Sequence, residues 1–357
     1  MFQLHDKTSR TAQLVDQLRS DILAGILAPG TRLKSMRDMA AELGVSKQVV
    51  ESAYGELLKD GLVEKRPGPA GTCVRAAPAG DPGGSRTATL LLDALMFQHF
   101  TQDQRAYFSQ TLIALLQFRL SAQGYSVRLV PVPADPATPF ALPAGNSPFI
   151  LYGRHVDRRV ADYERQLARR RTGRYIFLDY PCEAPRAASF VNDHVGGGRL
   201  AAEHFLRTGR RRLAFAGCDD MPNHEARWAG FSSALQAAGH PQDRIVRWHS
   251  FDEVVRGIRA GRRKLDGIFF AADWLTIDVC NLLRREGIEL QRDVALVSFD
   301  NTPALHHADL DIPAVAADRA GMVDRAIAAI RDPALFGVVT LDVALIPPVP
   351  GHSDPAK

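Results

Sequence analysis

Residues 35–75 read SMRDMAAELGVSKQVVESAYGELLKDGLVEKRPGPAGTCVR. The Ser35 hydroxyl can accept a backbone N–H from a first helical turn, which predicts a short helix over Met36–Leu43 with Met36, Met39, Ala40 and Leu43 inward. Gly44 stands where a tight turn between two helices requires positive φ. Ser46 caps a longer helix over Lys47–Lys59, whose apolar stripe is Val49, Val50, Ala53, Leu57 and Leu58. Gly61 ends that helix. Leu62–Lys65 and Thr72–Arg75 then read as two short strands with residues 66–71 as their tip. Upstream, Leu14, Leu18 and Ile22 recur at helical spacing and predict a first helix over Thr11–Ala24, closed by the Pro29-Gly30 turn. The pattern is a helix-turn-helix followed by a wing.

Two helices joined by a glycine turn can be purely structural, and bulk charge does not decide the matter: residues 1–76 carry 11 Lys and Arg against 9 Asp and Glu. The arrangement of polar residues is more telling. Ser46, Lys47, Gln48 and Glu51 fall on the outward, N-terminal part of the third helix, the part that enters a major groove. Lysine suits the O6 and N7 of guanine and glutamine suits the N6 and N7 of adenine. Arg37 and Arg66 can reach phosphates or a minor groove, and Lys34 adds a cation beside them.

The 357 residues leave room for two or three domains, and 46% apolar with 24% charged residues is ordinary for a globular chain. Net charge is only +4. The first 25 residues include Asp6, Lys7, Arg10, Asp16, Arg19 and Asp21, so no signal peptide is expected there. No apolar run approaches the ~18 residues needed to cross a bilayer. Four separated cysteines, without a CxxC pair, indicate neither a disulfide framework nor a zinc ribbon. A cytoplasmic protein without cofactor or metal is expected.

Around residues 76–85 the composition turns to Ala, Pro and Gly without hydrophobic period. The expected organisation is therefore a winged head over residues 1–76, a linker over 77–87, and a larger region over 88–350. In that region short β-type runs alternate with helical patterns, which predicts an α/β fold with parallel sheets. Ligands of such sheets sit at the carboxyl ends of strands. Among the residues there are Asp179, Asp193, Trp248, Asp273 and Trp274, and Asp300. Carboxylates clamp hydroxyl pairs and indoles cover the apolar face of a sugar ring. An aspartate that follows a strand is, however, more often a helix N-cap.

The head resembles the GntR-type winged helix-turn-helix over nearly its whole length. The resemblance implies DNA contacts at Arg37, Ser46, Lys47, Gln48 and the wing residue Gly68, with Lys34 in place of the family's proline. The stretches VNDHVGGGRLAAEHFLRTGRRRLAFAG, RWAGFSSALQAAG, DGIFFAADWL and DVALVSFDNTP are similar to the effector domain of LacI/GalR-type repressors. That resemblance covers about Tyr175–Arg331. It implies a two-lobed, periplasmic-binding-protein-like domain whose chain crosses between lobes near 192, 316 and 345. It further implies effector contacts at Asp179, Arg227 and Asp300, with Arg319 where relatives place an aromatic residue. A homodimeric repressor is expected, reading a pseudo-palindromic double-stranded DNA operator under control of a sugar or sugar derivative, with no membrane partner. A rival reading comes from Gly196-x-Gly198-x-x-Ala201, which mimics a dinucleotide-binding fingerprint and would make the chain a nucleotide-dependent enzyme.

Overall fold

The computed structural model describes residues 10–11, 14–15, 18, 22, 27, 30–59, 62–66, 71–75, 86–94, 107–143, 148–153, 157–170, 173–218, 221–261, 265–288, 290, 294–308 and 310–348. The chain divides into two compact units, one of Met1–Thr87, Ile113–Val127 and Val349–Lys357, the other of Ala88–Leu112 and Arg128–Pro348.

In the first unit Leu14, Val15, Leu18 and Ile22 are helical and buried. Helices α1 (Met36–Leu43) and α2 (Lys47–Lys59) follow, with the bounds that the capping residues predict. Ser35 accepts from the Asp38 N–H at 3.2 Å, Gly44 takes φ 62°, and the Ser46 hydroxyl accepts from the Val49 N–H at 3.4 Å. Strands β1 (Val63–Arg66) and β2 (Gly71–Val74) pair antiparallel with Val63 opposite Val74. They sit one residue off the expected positions. The core joins Leu14, Leu18, Leu33, Met39, Val50, Ala53, Leu57 and Val74. Tyr54, absent from the expected stripe, is buried with them because its hydroxyl donates to the Lys34 carbonyl at 2.9 Å.

Two six-stranded sheets lie in the second unit, apart from residues 86–87 and 125–127, which open two of the strands and cluster with the first unit. The first runs β13-β7-β6-β5-β3-β4, built from β3 (Arg86–Asp93), β4 (Tyr125–Val132), β5 (Phe149–Tyr152), β6 (Tyr175–Leu178), β7 (Ala187–Asn192) and β13 (Gly337–Leu341). The second runs β14-β12-β11-β10-β8-β9, built from β8 (Leu213–Ala216), β9 (Ile245–Trp248), β10 (Gly267–Phe270), β11 (Ala295–Asp300), β12 (Ala314–Ala316) and β14 (Ala344–Ile346). The central pairs β3/β5, β5/β6, β6/β7, β8/β10 and β10/β11 are parallel, while β12 and β14 are antiparallel. Central strands such as Phe149–Tyr152 and Tyr175–Leu178 are buried along their whole length, as parallel strands covered on both faces must be. Arg86 and Thr87, expected in the linker, open β3 instead, and the linker's other residues lie outside those described.

The helices between strands are α3 (Tyr107–Ser121), α4 (Val160–Arg170), α5 (His194–Arg207), α6 (Pro222–Ala237), α7 (Phe251–Gly261), α8 (Asp273–Arg285), α9 (Pro303–His307) and α10 (Arg319–Arg331). The chain leaves the first sheet after Asn192, returns to it after Ala316, and leaves again after Leu341. Each sheet with its helices is a lobe. Backbone hydrogen bonds staple the passages: the Asp193 N–H donates to the Leu341 carbonyl at 2.8 Å.

Candidate functional site

Two groups of residues carry chemistry, one in each unit. On the head, Arg37, Ser46, Lys47, Gln48 and Glu51 are exposed. Residues 46–48 open α2, where backbone N–H groups also point outward, so the surface suits phosphates and base edges together. Two expected contacts are occupied locally. Lys34 pairs with Glu42, and Arg66 Nε lies 2.7 Å from Glu64 Oε1. These are exposed pairs of small energetic weight, which a phosphate can displace. Gly68 lies outside the described residues.

In the second unit the strand ends of both lobes converge on a buried polar chain. Arg227 on α6 is 1% exposed and therefore must be paired. Its guanidinium lies 3.5 Å from the Phe299 ring centroid, its Nη2 is 3.3 Å from Asp300 Oδ1, and its Nη1 donates to the Ala271 carbonyl. Its Nε and Nη2 both stand 3.3 Å from His194 Nδ1. Since those are donors, Nδ1 is the acceptor and the ring proton sits on Nε2. Nε2 in turn faces Asp179 Oδ1 at 3.2 Å, and Asn192 Nδ2 donates to the same oxygen at 2.8 Å. The chain Asp179–His194–Arg227–Asp300 thus runs from the end of β6 in one lobe to the end of β11 in the other.

Electrostatics differ along this chain. Burial alone would raise the Asp179 carboxyl, but His194, Arg227 and Asn192 outweigh it and hold it below the usual carboxylate range. Burial and the nearby Asp300 charge push Asp273 the other way, up to about 7, despite its bonds from the Ser298 hydroxyl and the Thr302 N–H. Asp300 is raised too, by burial, with Arg227 opposing. His224, buried beside Arg227 and accepting at Nδ1 from the Cys218 N–H at 3.0 Å, is driven well below the ordinary imidazole range. Backbone strain gathers here as well. Among the described residues the non-glycines with positive φ are Asp179 (62°), Asp300 (103°) and Asn301 (51°), all at strand ends facing this chain.

Of the residues singled out from sequence, Asp179, Arg227, Asp273, Asp300 and Arg319 come together. Arg319 donates from Nη1 to the Asp300 carbonyl at 2.8 Å and from Nη2 to the Asn301 carbonyl at 3.1 Å, over the Phe108 ring. Trp274 is half-buried against the apolar cluster of the second lobe. Two other expected contacts are engaged elsewhere. Trp248 is packed into that same cluster against Gly257 on α7, where no ligand face is open, because β9 is an edge strand and its indole fills the space beneath the helix. Asp193 is the N-cap of α5, its carboxylate taken by the Gly196 N–H at 2.7 Å. Sequence reasoning missed His194, Asn192, Ser298 and Thr302. Nothing in their local pattern marks them; only their position beside strand ends and a lobe crossing could have.

The glycine run is also explained. Gly196, Gly197 and Gly198 are helical and buried. A Cβ on Gly197 would run into the Phe299 ring, and one on Gly198 into the Arg227 carbonyl. These glycines let α5 lie against α6 and the sheet, and no phosphate has room at them. The nucleotide-enzyme reading therefore falls.

Comparison with known proteins agrees with this architecture. Residues 10–74 match the family of bacterial regulatory proteins, gntR family, and residues 202–334 match the periplasmic binding protein-like domain. The HTH-type transcriptional regulator CelR of Thermobifida fusca is 32% identical over 144 residues, 38% of this chain and 42% of that protein, so the match spans less than half of that relative's length. The arabinose metabolism transcriptional repressor of Geobacillus stearothermophilus is 22% identical over 309 residues, 81% of each chain. A LacI family transcriptional regulator from Enterococcus faecium, solved with bound ribose, superposes with a TM-score of 0.61 at 18% identity, covering 76% of this chain and all of that one. At that identity the likeness shows the fold.

Proposed function

The chain joins a GntR-type helix-turn-helix head to a periplasmic-binding-protein-like domain, and we propose that it is a cytoplasmic transcription regulator whose operator affinity is set by a small carbohydrate held between the two lobes. The observation that carries this reading is the buried chain Asp179–His194–Arg227–Asp300, which links the lobes at their strand ends in the same polypeptide that exposes Ser46, Lys47 and Gln48 on a recognition helix. Paired carboxylates and a guanidinium held in fixed geometry suit the vicinal hydroxyls of a sugar. Asp179, Arg227, Asp273 and Asp300 are the proposed effector contacts, with Trp274 at the margin. Arg37, Ser46, Lys47, Gln48, Arg66, Lys34 and Gly68 are the proposed DNA contacts.

As a two-fold homodimer the protein would place two heads on a pseudo-palindromic operator. A sugar that binds one lobe arrangement better than the other shifts the heads' fit to DNA, and a tenfold shift in operator affinity requires ~1.4 kcal/mol of coupling. Repression relieved by the sugar is the proposed direction.

The test is a footprint on DNA flanking the protein's own gene, titrated with salt and repeated with ribose, arabinose, glucose and cellobiose. A protected palindrome whose affinity falls steeply with salt, and which one sugar releases, is the expected result. Protection that no sugar alters would remove the effector half of the proposal. Binding that is equal on random DNA would remove the regulator.

A further inference from the structure

Two of the passages between lobes are built alike. After the first sheet the chain reads Asp193-His194-Val195-Gly196, and after the second it reads Asp318-Arg319-Ala320-Gly321. In each the aspartate caps the helix that follows, accepting from the N–H of the glycine three residues on, at 2.7 Å and 2.8 Å. A Cβ on either glycine would run into the capping carboxylate, which would have to shift from the position it holds over the first turn. The residue after each cap, His194 or Arg319, is thereby seated at the first position of its helix with its direction set.

From that seat each side chain reaches back to the lobe the chain has just left. His194 Nε2 faces Asp179 at the end of β6, while Arg319 donates to the carbonyls of Asp300 and Asn301 at the end of β11. The groups they hold belong to the three strained residues named above. Asn192 couples the two passages: its Nδ2 donates to Asp179 Oδ1 and its Oδ1 accepts from the Asp318 N–H, both at 2.8 Å.

We infer that His194 and Arg319 are a matched pair of positioning residues for the effector cleft, each fixing the strained strand end, and the carboxylate it bears, of the lobe behind it. The inference rests on the reading of the cleft as the effector site. Arg319 is then a positioning residue through its two bonds to main-chain carbonyls. The two halves of the pair also differ in chemistry. His194 also accepts at Nδ1 from the Nε and Nη2 donors of Arg227, whereas Arg319 acts as a donor to the carbonyls it holds. Around the ring stand Asp179 from the end of β6, Arg227 and His224 from α6, Asp300 from the end of β11, and its neighbour Asp193.

Hydrogen exchange on the full chain without ligand tests this, read over residues 179–193 and 300–319. His194→Leu is expected to speed exchange about tenfold in the first segment and leave the second unchanged, and Arg319→Ala the reverse. His194→Gln, which retains one acceptor and one donor, and Arg319→Lys should return most of the protection. Equal loosening of both segments in either variant, no loosening, or identical behaviour of Leu and Gln at position 194 would overturn the pairing. Should Leu or Ala unfold the chain, His194→Asn and Arg319→Gln take their place over the same two segments, and equal loosening of both segments overturns the inference. Adding the four sugars to the same samples separates the two proposals. No change with any sugar would count against the effector reading while leaving the exchange result for the pair in force.

Discussion

Asp273 shows how much a single buried group can report. Its carboxyl is 1% exposed, raised by burial and by Asp300 to about 7, so the folded state holds its proton more tightly than the unfolded chain does. The unfolded state releases that proton near pH ~4, so this group's contribution to stability is greatest below that value, declines as pH rises toward about 7, and is level above. Asp273→Asn should flatten that decline, because an amide can still accept from the Thr302 N–H and donate to the Ser298 hydroxyl, which is free to turn toward Thr276. Denaturation midpoints of both proteins across this range are the measurement, and parallel pH curves would refute the assignment. On the head, Lys47→Ala with Gln48→Ala is expected to cost about 1–3 kcal/mol of operator affinity for each side chain that reads a base, with affinity for random DNA much less affected. Competition binding distinguishes this from removal of a phosphate-binding group, which would weaken both alike. At this scale the sequence was uneven. Asp179, Asp273 and Asp300 stand out as charged residues beside strands and Arg227 through the family resemblance, but His194 could be read only as part of a glycine-rich loop, since its partners lie 15 to 33 residues away.

At the scale of elements, α1 and α2 were legible to the residue because their ends are decided by neighbours three or four positions away: Ser35, Gly44 and Ser46 do their work locally. Strands β5, β8, β9 and β10 are plain in the same way, as short runs between turns of the kind whose alternation predicts parallel sheets. Strands β7, β12, β13 and β14 were not, since segments such as Ala314–Ala316 carry no pattern of their own and become strands only through a neighbour. The packing of α5 on α6 was likewise invisible. Gly230 on α6 lies so close to the Val195 carbonyl, and Gly198 to the Arg227 carbonyl, that neither site has room for a methyl group. Gly198→Ala should therefore destabilise the second unit by about 1–3 kcal/mol or more, despite alanine's better helix propensity. Thermal unfolding would show it, and an unchanged or raised midpoint would mean that the helices can separate without cost.

For the molecule as a whole, the two-headed reading requires a dimer, so sedimentation equilibrium should give twice the 39.1 kDa chain mass at concentrations where the operator is bound. A monomer under those conditions would leave a single head on a half-site. What the sequence determined by itself was the kind of parts: a winged helix-turn-helix from caps and apolar spacing, and an α/β region with parallel sheets from alternating runs. These are properties of short stretches, decided by steric and hydrogen-bonding rules that act over a few residues. Only the tertiary structure decided which polar residues meet. Asn192 bonds to the backbone of a residue 126 positions on, and Arg227 pairs with Asp300 across 73. Such contacts depend on where two sheets and three passages between them bring strand ends together. Burial then forces charged groups to find partners that no local pattern names.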